Sequence, residues 1–458
     1  MSTDVIEVGS VLDRQRITGF NIRLLVLAFL VMMTDGFDLG AAAFAGPGLI
    51  REWGLKGPEL GVLLSSSLAA GFFGPPLLGY FADRFGRKKV VVFGAFCFGL
   101  ATLAAVATSS LDQLVISRIV AGIALAGTLP IVVALTNEFA PARARATMVV
   151  LMFTGVTFGG GLPGLVAAKY MAAHGWRILF WIGGIAPIVI ALLLLVALPE
   201  SVKYLTLRPE RRADLVALLK RIDPSLRIGP ETRFHIAGEH NRGKFSLAGL
   251  FEGRLAVLTP LFWMSNLITL GVFYFINQWM PTVLSSSGVS VEQAAIATTL
   301  FQFGGTLAGL LSMRFLDRNG FIPVPILYAL AIPIVACIGI PGLSPFVLIG
   351  LVAGAGFCLL GLQFGNIATE ANIYPTYIRS WGVGSNFAMG RVGGGLGPLL
   401  GGFAFGAHLP SQQIFLVAAA PLVVGLIVAL CIVPLYRRQV AGAAAAAEGD
   451  KVVLSPAH

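Results

Sequence analysis

The segment Gly79-Tyr-Phe-Ala-Asp83-Arg84-Phe-Gly86-Arg87-Lys88 is a short charged stretch between two long apolar runs, 60–82 and 89–108. About 20 apolar residues are enough for a helix to cross the hydrocarbon core of a bilayer. The segment is therefore predicted to be a tight polar loop that joins two transmembrane helices.

Apolar runs of this length occur twelve times along the chain. Their approximate limits are 24–48, 60–82, 89–108, 112–136, 146–170, 176–198, 255–280, 292–313, 322–341, 345–370, 381–404 and 412–435. Only 12% of the residues are charged, about half of what a soluble domain contains. We therefore predict an all-α membrane protein with twelve transmembrane helices. The predicted parts are an N-terminal tail (1–23), a six-helix bundle (24–198), a linker with short amphipathic helices (199–253), a second bundle (254–436) and a low-complexity tail (437–458).

The basic residues predict the orientation, because cytoplasmic loops are enriched in Lys and Arg. With the N-terminus inside, 26 of the 32 Lys and Arg residues lie in inside segments and 4 lie in outside loops. Both termini are therefore expected in the cytoplasm. Since the net charge of +10 is spread over short loops, no nucleic-acid partner is expected. The four cysteines lie in apolar runs without metal-ligand spacing, so no metal site is expected.

Two features recur at nearly the same offset. Asp83 of the charged loop and Asp317 of Asp317-Arg318-Asn-Gly320 are 234 residues apart. Glu138 follows Val120-Ala-Gly122 by the same spacing that separates Glu370 from Val352-Ala-Gly354, and the two glutamates are 232 residues apart. This offset is about half of the chain and indicates a duplicated six-helix unit.

The charged loop resembles the signature of the major facilitator superfamily, and Pro199-Glu-Ser201 followed by Tyr204-Leu resembles its motif after helix six. The resemblance implies two halves that rock about a central cavity to alternate access. Asp83 and Arg87 would then clamp the interface that closes the inside. The residues expected in gating are Asp83, Arg84, Gly86, Arg87, Glu138, Arg143, Asp317, Arg318, Glu370 and Arg379. Glu138 and Glu370 are expected to pair with arginines of the gate loops.

Ionisable residues at membrane depth are costly and therefore informative. Asp35 and Asp38 lie three residues apart in the first run, so both face one side of the helix. Two close carboxylates in a low dielectric do not both ionise easily, which predicts a proton-coupling site. Arg118 belongs to the same half and is predicted to pair with Asp38 when that residue is deprotonated. The alternative is a static ion pair with a structural role.

Arg391 lies about 16 Å deep in run eleven at 1.5 Å per residue, and no acidic residue is near it in sequence. A guanidinium suits a carboxylate, so we predict an anionic substrate. The alternative is a partner on another helix or the nearby glycine backbone. Amides and aromatics of the same half are further candidate contacts, which are Tyr274, Asn277, Gln278, Phe301, Gln302, Gln363 and Asn366. They suit a planar apolar body with polar ring substituents.

A narrower resemblance rests on four motifs. These are Asp35-Gly-Phe-Asp38, Arg118 with Gly122, Gly127, Pro130 and Glu138, Trp279-Met-Pro281-Thr282, and Gly390-Arg391-Val-Gly393 with Gly397-Pro-Leu-Leu-Gly-Gly402. Together they resemble the aromatic acid:proton symporter family. The resemblance implies import of benzoates, hydroxybenzoates, protocatechuate, phenylpropionates or muconate, with Asp35, Asp38 and Arg118 in proton coupling and Arg391 at the substrate. Pro130-Ile131 departs from relatives that have an amide after the proline.

Other classes fit the sequence less well. A sugar importer needs no midplane arginine, and the glycine-rich helix five is only loosely like the motif of drug:proton antiporters. A membrane sensor has no need of buried carboxylates and arginines. The chain has no nucleophile–base constellation and no cofactor motif, so no enzyme activity, catalytic residue or cofactor is expected. The expected partners are a small aromatic carboxylate, protons and the lipid bilayer. We expect a functional monomer in the bacterial inner membrane.

Overall fold

A computed structural model describes residues 5–224, 226, 228–229, 232–235, 247–286, 288–319, 321–374 and 378–453. Within its helices and strands, the side chains of residues 5, 146, 247–248, 291–292, 295, 306, 309–310, 312–319, 368, 371–372, 379–380 and 439–453 are outside the described part. The chain divides into two compact units, each treated separately below. One comprises the described residues of Met1–Glu52 and Ser66–Arg242, and the other those of Trp53–Ser65 and Gly243–His458.

Most of the first unit is helical. Its helices are α1 (Val8–Arg14), α2 (Gly19–Trp53), α3 (Gly57–Ala70, divided between the units), α4 (Gly74–Phe85), α5 (Arg87–Ala104), α6 (Leu111–Phe139), α7 (Arg145–Val166), α8 (Ala172–His174), α9 (Arg177–Ala197), α10 (Val202–Thr206) and α11 (Arg212–Ile222). Ser110 caps α6 by accepting a hydrogen bond from the Gln113 amide. The long helices also expose apolar side chains, such as Val196 at 86%, as expected for a lipid-facing surface.

The N-terminal segment and the linker fold onto the end of the first unit. Strand β1 (Val5–Glu7) pairs in parallel with β2 (Arg233–His235). Leu12 of α1 and Leu215 and Leu219 of α11 are buried in one apolar cluster with Leu24 of α2. Apolar residues of the segment predicted to be the N-terminal tail thus contribute to the buried cluster of this unit.

The second unit contains the remaining long helices. They are α12 (Leu255–Ser286), α13 (Val291–Asn319), α14 (Pro323–Ile338), α15 (Pro345–Ile373), α16 (Arg379–Gly406) and α17 (Ser411–Val453). Glycines allow α12 and α16 to approach closely. A Cβ on Gly393 would lie 2.1 Å from the Leu267 carbonyl oxygen, and one on Gly397 would lie 2.1 Å from that of Gly271.

Nine helical segments of the described residues are long and apolar enough to cross a membrane. The other three predicted runs, 292–313, 322–341 and 381–404, lie on α13, α14 and α16, which are helical but are not among the nine. Helix α14 has only 16 residues. Helix α16 contains Arg391 and many glycines, which lower its mean hydropathy. The structure thus has a multi-pass helical architecture.

Candidate functional site

A buried ion pair joins α2 and α6 in the first unit. An Nη atom of Arg118 donates to the Asp38 carboxylate at 2.5 Å, and the two side chains are 1% and 4% exposed. The other Nη atom donates to the Thr102 hydroxyl at 3.0 Å. The guanidinium carbon lies 5.1 Å from the centre of the Phe180 ring, which is a cation–π distance. Arg118 is therefore held by one charged, one polar and one aromatic partner.

The sequence predicted the Asp38 contact, but it gave no signal for Thr102 or Phe180. Both are ordinary residues of apolar helices, α5 and α9, and only the packing brings them to the guanidinium. Within the described residues, Nε of Arg118 is buried without a hydrogen-bond partner. A buried orphan donor on a cation is unusual, and it leaves the pair with one unused hydrogen-bonding position.

Glycines of α7 hold the aspartate-bearing part of α2 in place. A Cβ on Gly36 would lie 1.8 Å from the Val156 carbonyl oxygen, and one on Gly159 would lie 2.0 Å from that of Met33. Only glycine permits this separation. The glycine-rich stretch of helix five thus has a packing role beside Asp35 and Asp38. Asp35 is half-buried and does not share the Arg118 ion pair.

Arg391 lies in the middle of α16 and is half-buried. Among the described residues it has no ion-pair or hydrogen-bond partner. Gly394 lies one turn later on the same side of the helix, and a Cβ there would lie 2.8 Å from the Tyr274 ring. Tyr274 is itself half-buried. The α12–α16 contact therefore brings an aromatic ring and a guanidinium to one side of α16.

Several buried amides of the second unit have an oxygen without a hydrogen bond. Among the predicted contacts these are Asn277 Oδ1, Gln278 Oε1 and Gln363 Oε1, and the hydroxyl oxygen of Thr282 is likewise without a partner in the described part of the chain. Buried polar atoms are normally satisfied, so unsatisfied ones at a predicted substrate site are consistent with a polar ligand or water. Thr282 was quoted in a motif, but the sequence gave no reason to select it as a contact.

The other predicted contacts have protein partners. Phe301 is buried and stacks on Phe273 at 5.4 Å between ring centres. Gln302 is buried and engaged in an interaction. Asn366 is fully buried, and its Oδ1 accepts a hydrogen bond from the Ser265 hydroxyl at 3.2 Å. These residues line the packed interior of the unit, which favours a structural role for Phe301 and Asn366.

Next to the predicted gate loop of the first unit, the carboxylate of Glu138 on α6 accepts several hydrogen bonds. The Glu138 carboxylate accepts hydrogen bonds from the Arg87 guanidinium at 2.6 Å, the Ser201 hydroxyl at 2.9 Å and the Lys203 backbone amide at 2.6 Å. Glu138 thus joins the loop to the start of α10. Ser201 was quoted in the motif after helix six, but neither its hydroxyl nor the Lys203 backbone was among the predicted gating residues. A backbone amide has no side-chain identity that the sequence could reveal.

Three of the remaining gate residues of this unit lie at its surface, and Gly86 is buried. Asp83, Arg84 and Arg143 are exposed, and Arg84 lies over the Phe85 ring at 5.6 Å. Gly86 has a φ of 103°, and a Cβ there would lie 2.4 Å from a Glu200 carboxylate oxygen. Only glycine fits both conditions. Of the two residues predicted to form the clamp, Arg87 contacts Glu138 and Asp83 is exposed.

The corresponding region of the second unit is different. Glu370 is fully buried and accepts a hydrogen bond from the Asn386 side-chain amide. The gate-loop arginine predicted for it is not found among the described side chains. The side chains of Asp317, Arg318 and Arg379 lie outside the described part.

A family model described as Major Facilitator Superfamily matches residues 27–372. This match covers more than half of the chain. The chain belongs to the major facilitator superfamily. The resemblance to this superfamily that the charged loop indicated is therefore confirmed.

Within this superfamily the chain is similar to several curated proteins. It is 32% identical to the 4-hydroxybenzoate transporter PcaK of Pseudomonas aeruginosa, with 91% of this chain and 93% of the relative aligned. It is 33% identical to the gallate transporter of Pseudomonas putida, over 91% and 92% of the two chains. It is 30% identical to the benzoate transport protein of Acinetobacter baylyi, over 92% and 91%. The narrower resemblance to aromatic acid carriers is thus also confirmed.

Solved structures share the fold of this superfamily member. The D-xylose–proton symporter matches with a TM-score of 0.67 at 18% identity, over 90% of this chain and 97% of that one. A bacterial homologue of the human lysosomal transporter Spinster matches with a TM-score of 0.66 at 18% identity, over 93% and 98%. At this level of identity the likeness concerns the fold alone.

Proposed function

We propose that this protein is a proton-coupled symporter that imports an aromatic carboxylate of the hydroxybenzoate, protocatechuate or benzoate type by alternating access. Three relatives named for 4-hydroxybenzoate, gallate and benzoate transport support it, since each aligns over more than nine-tenths of its length. The proposed topology has twelve spans in the bacterial inner membrane, bundles over 24–198 and 254–436, and both termini in the cytoplasm. The 26:4 distribution of basic residues supports that orientation.

The observation that supports an anionic substrate most strongly is the state of Arg391. Its guanidinium is half-buried and lacks a counter-charge among the described residues. A cation at membrane depth without a protein partner is costly, so an anionic ligand would relieve that cost. The carboxylate of the substrate would bind the two parallel N–H groups, and Tyr274 would offer a ring beside its aromatic body.

The proton site proposed for the first unit is the Asp38–Arg118 pair. While Asp38 is deprotonated it binds Arg118, as in the 2.5 Å contact. Protonation would neutralise Asp38 and release the guanidinium, which gives two states biased by one proton.

In the proposed cycle, a proton and the aromatic carboxylate bind from the outside and leave together on the inside. One proton with a monoanion is electroneutral and is driven by the pH gradient alone. A second proton would add about 2.3 kcal/mol per 100 mV of membrane potential.

Binding of acids and their amides to the purified protein tests the substrate class. We expect 4-hydroxybenzoate, protocatechuate or benzoate to bind, and benzamide, which has no carboxylate, to bind much more weakly. Arg391→Ala should remove this difference, while Arg51→Ala, which removes an exposed arginine, should keep it. Binding of muconate, xylose or a cationic drug in preference to every benzoate would overturn the proposal.

A further inference from the structure

The two halves of the duplicated sequence differ at the position of Arg87. At the 234-residue offset that relates Asp83 to Asp317, Arg87 corresponds to Phe321. Phe321 is 1% exposed and packs edge-on against Phe262 at 5.4 Å between ring centres. Glu370 corresponds to Glu138, but the position that supplies the cation for Glu138 is occupied by a buried apolar ring in the second unit.

The two glutamates therefore differ in what surrounds them. Glu138 accepts from Arg87, Ser201 and the Lys203 amide. Glu370 has one hydrogen bond in the described part of the chain, from the Asn386 amide, and its Oε2 is buried without a partner. An ionised carboxylate with a buried, unpaired oxygen is strongly unfavourable, whereas a neutral acid avoids most of that desolvation cost.

Three acceptor oxygens in the hydrogen-bonded chain that contains Glu370 have no donor among the described residues. The side-chain amide of Asn266 donates to the backbone carbonyl of Asn386 at 2.8 Å. The side-chain amide of Asn386 donates in turn to the Glu370 carboxyl group. The unsatisfied atoms of this chain of bonds are Asn266 Oδ1, Asn386 Oδ1 and Glu370 Oε2, all acceptors. A proton on Glu370 adds one donor to this set of acceptors and removes the charge of the carboxylate.

The other groups near Glu370 are neutral where they are described. Tyr374, one turn after Glu370, caps the C-terminal end of α15, and its hydroxyl donates to the Thr259 hydroxyl of α12 at 3.1 Å. Asn366 lies one turn earlier, with its Nδ2 unpaired. On α13 and α16 the charged side chains of this region are Arg314, Asp317, Arg318 and Arg379, which lie outside the described part.

We propose that Glu370 is a second proton-binding site, which lies in the second unit and holds a neutral carboxylic acid bonded to Asn386. The site differs from the gating role predicted for Glu370 by sequence, because a protonated acid forms no ion pair with a gate arginine. Its use in transport rests on the proposed function, but its protonation does not.

Infrared spectroscopy of the purified protein near neutral pH tests the protonation directly. The carbonyl stretch of a protonated acid should be lost in Glu370→Gln and retained in Glu138→Gln, whose carboxylate is paired with Arg87. Loss of an ionised-carboxylate band in Glu370→Gln would overturn the proposal and point to a cation partner such as Arg379. This result is independent of any aromatic substrate.

Thermal unfolding provides a second readout. Glutamine has the shape of a neutral glutamic acid, so Glu370→Gln should unfold at nearly the wild-type temperature, while Glu138→Gln should unfold lower because Arg87 loses its partner. A large drop for Glu370→Gln would contradict a neutral acid.

Transport measurements test whether the proton is used. In proteoliposomes, Glu370→Gln should keep substrate exchange without a pH gradient and lose accumulation driven by one. Loss of both would mean a structural role, and full accumulation would mean that the bound proton is not transported. Either result would reject the coupling role while leaving the wild-type test of the proposed function intact.

Discussion

The Arg118 guanidinium lies 2.5 Å from the Asp38 carboxylate, with both side chains almost completely buried. Its second Nη atom donates a hydrogen bond to the Thr102 hydroxyl, and the Phe180 ring lies over the guanidinium group. In such a buried pair, each charge is compensated mainly by the other. Removal of either side chain therefore leaves a buried charge without a partner.

Breaking this pair from one side should be much more damaging than removing both charges. We expect Asp38→Asn to destabilise the protein by about 3–5 kcal/mol, because Arg118 would be left buried without a counter-charge. The double variant Asp38→Asn/Arg118→Gln should recover much of that loss. Unfolding in detergent measures both.

The exposed pair Arg177–Glu52, at 2.6 Å, is the matched control. Its neutralisation should change stability by no more than about 1 kcal/mol. Additive losses in the Asp38 and Arg118 variants would show that the two side chains are not coupled.

Gly36 should not tolerate even a methyl group. Gly36→Ala would place a Cβ 1.8 Å from the Val156 carbonyl oxygen and force α2 and α7 apart. We expect a marked fall in the yield of folded protein and in transport. Gly79→Ala is the control, because no atom lies within 4 Å of its Cβ. That change should be neutral or stabilise by roughly 0.4–1 kcal/mol, and equal behaviour of the two variants would refute the close approach.

Part of this arrangement was predictable from sequence. A charge within a membrane helix needs a partner, and Asp38 and Arg118 are opposite charges in the same predicted half, so their contact followed from burial and topology alone. Thr102 and Phe180 could not be predicted in the same way, because neutral residues on apolar helices are interchangeable until the helices are packed. The pairing of Val5–Glu7 with Arg233–His235 joins segments far apart in sequence and left no local signal.

The duplication predicted equivalent glutamates but not their different surroundings. The 234-residue offset placed Phe321 opposite Arg87 in the sequence. The inference that Glu370 is a neutral acid also needed its burial and its hydrogen bond from Asn386. Both depend on how α15 and α16 pack, which the sequence does not reveal. The family was predictable from motifs because these lie in loops and helix ends, whose residues are constrained by topology.

The hydrogen bonds of Glu138 should make Arg87 more important than Ser201. Arg87→Gln removes the only described cation paired with a carboxylate that is 2% exposed, so uptake should fall and the unfolding temperature should drop. Ser201→Ala removes one of three donors and should cost about 1–3 kcal/mol or less. Parallel melting curves and initial uptake rates make the comparison. A larger effect of Ser201→Ala than of Arg87→Gln would contradict this order.

Uptake of labelled 4-hydroxybenzoate or benzoate into proteoliposomes with an acidic exterior tests the proposed function most directly. The proposed symport predicts transient accumulation above equilibrium, which an uncoupler abolishes and which Asp38→Asn loses. Simple equilibration that is unaffected by the pH gradient, or wild-type accumulation in Asp38→Asn, would contradict it.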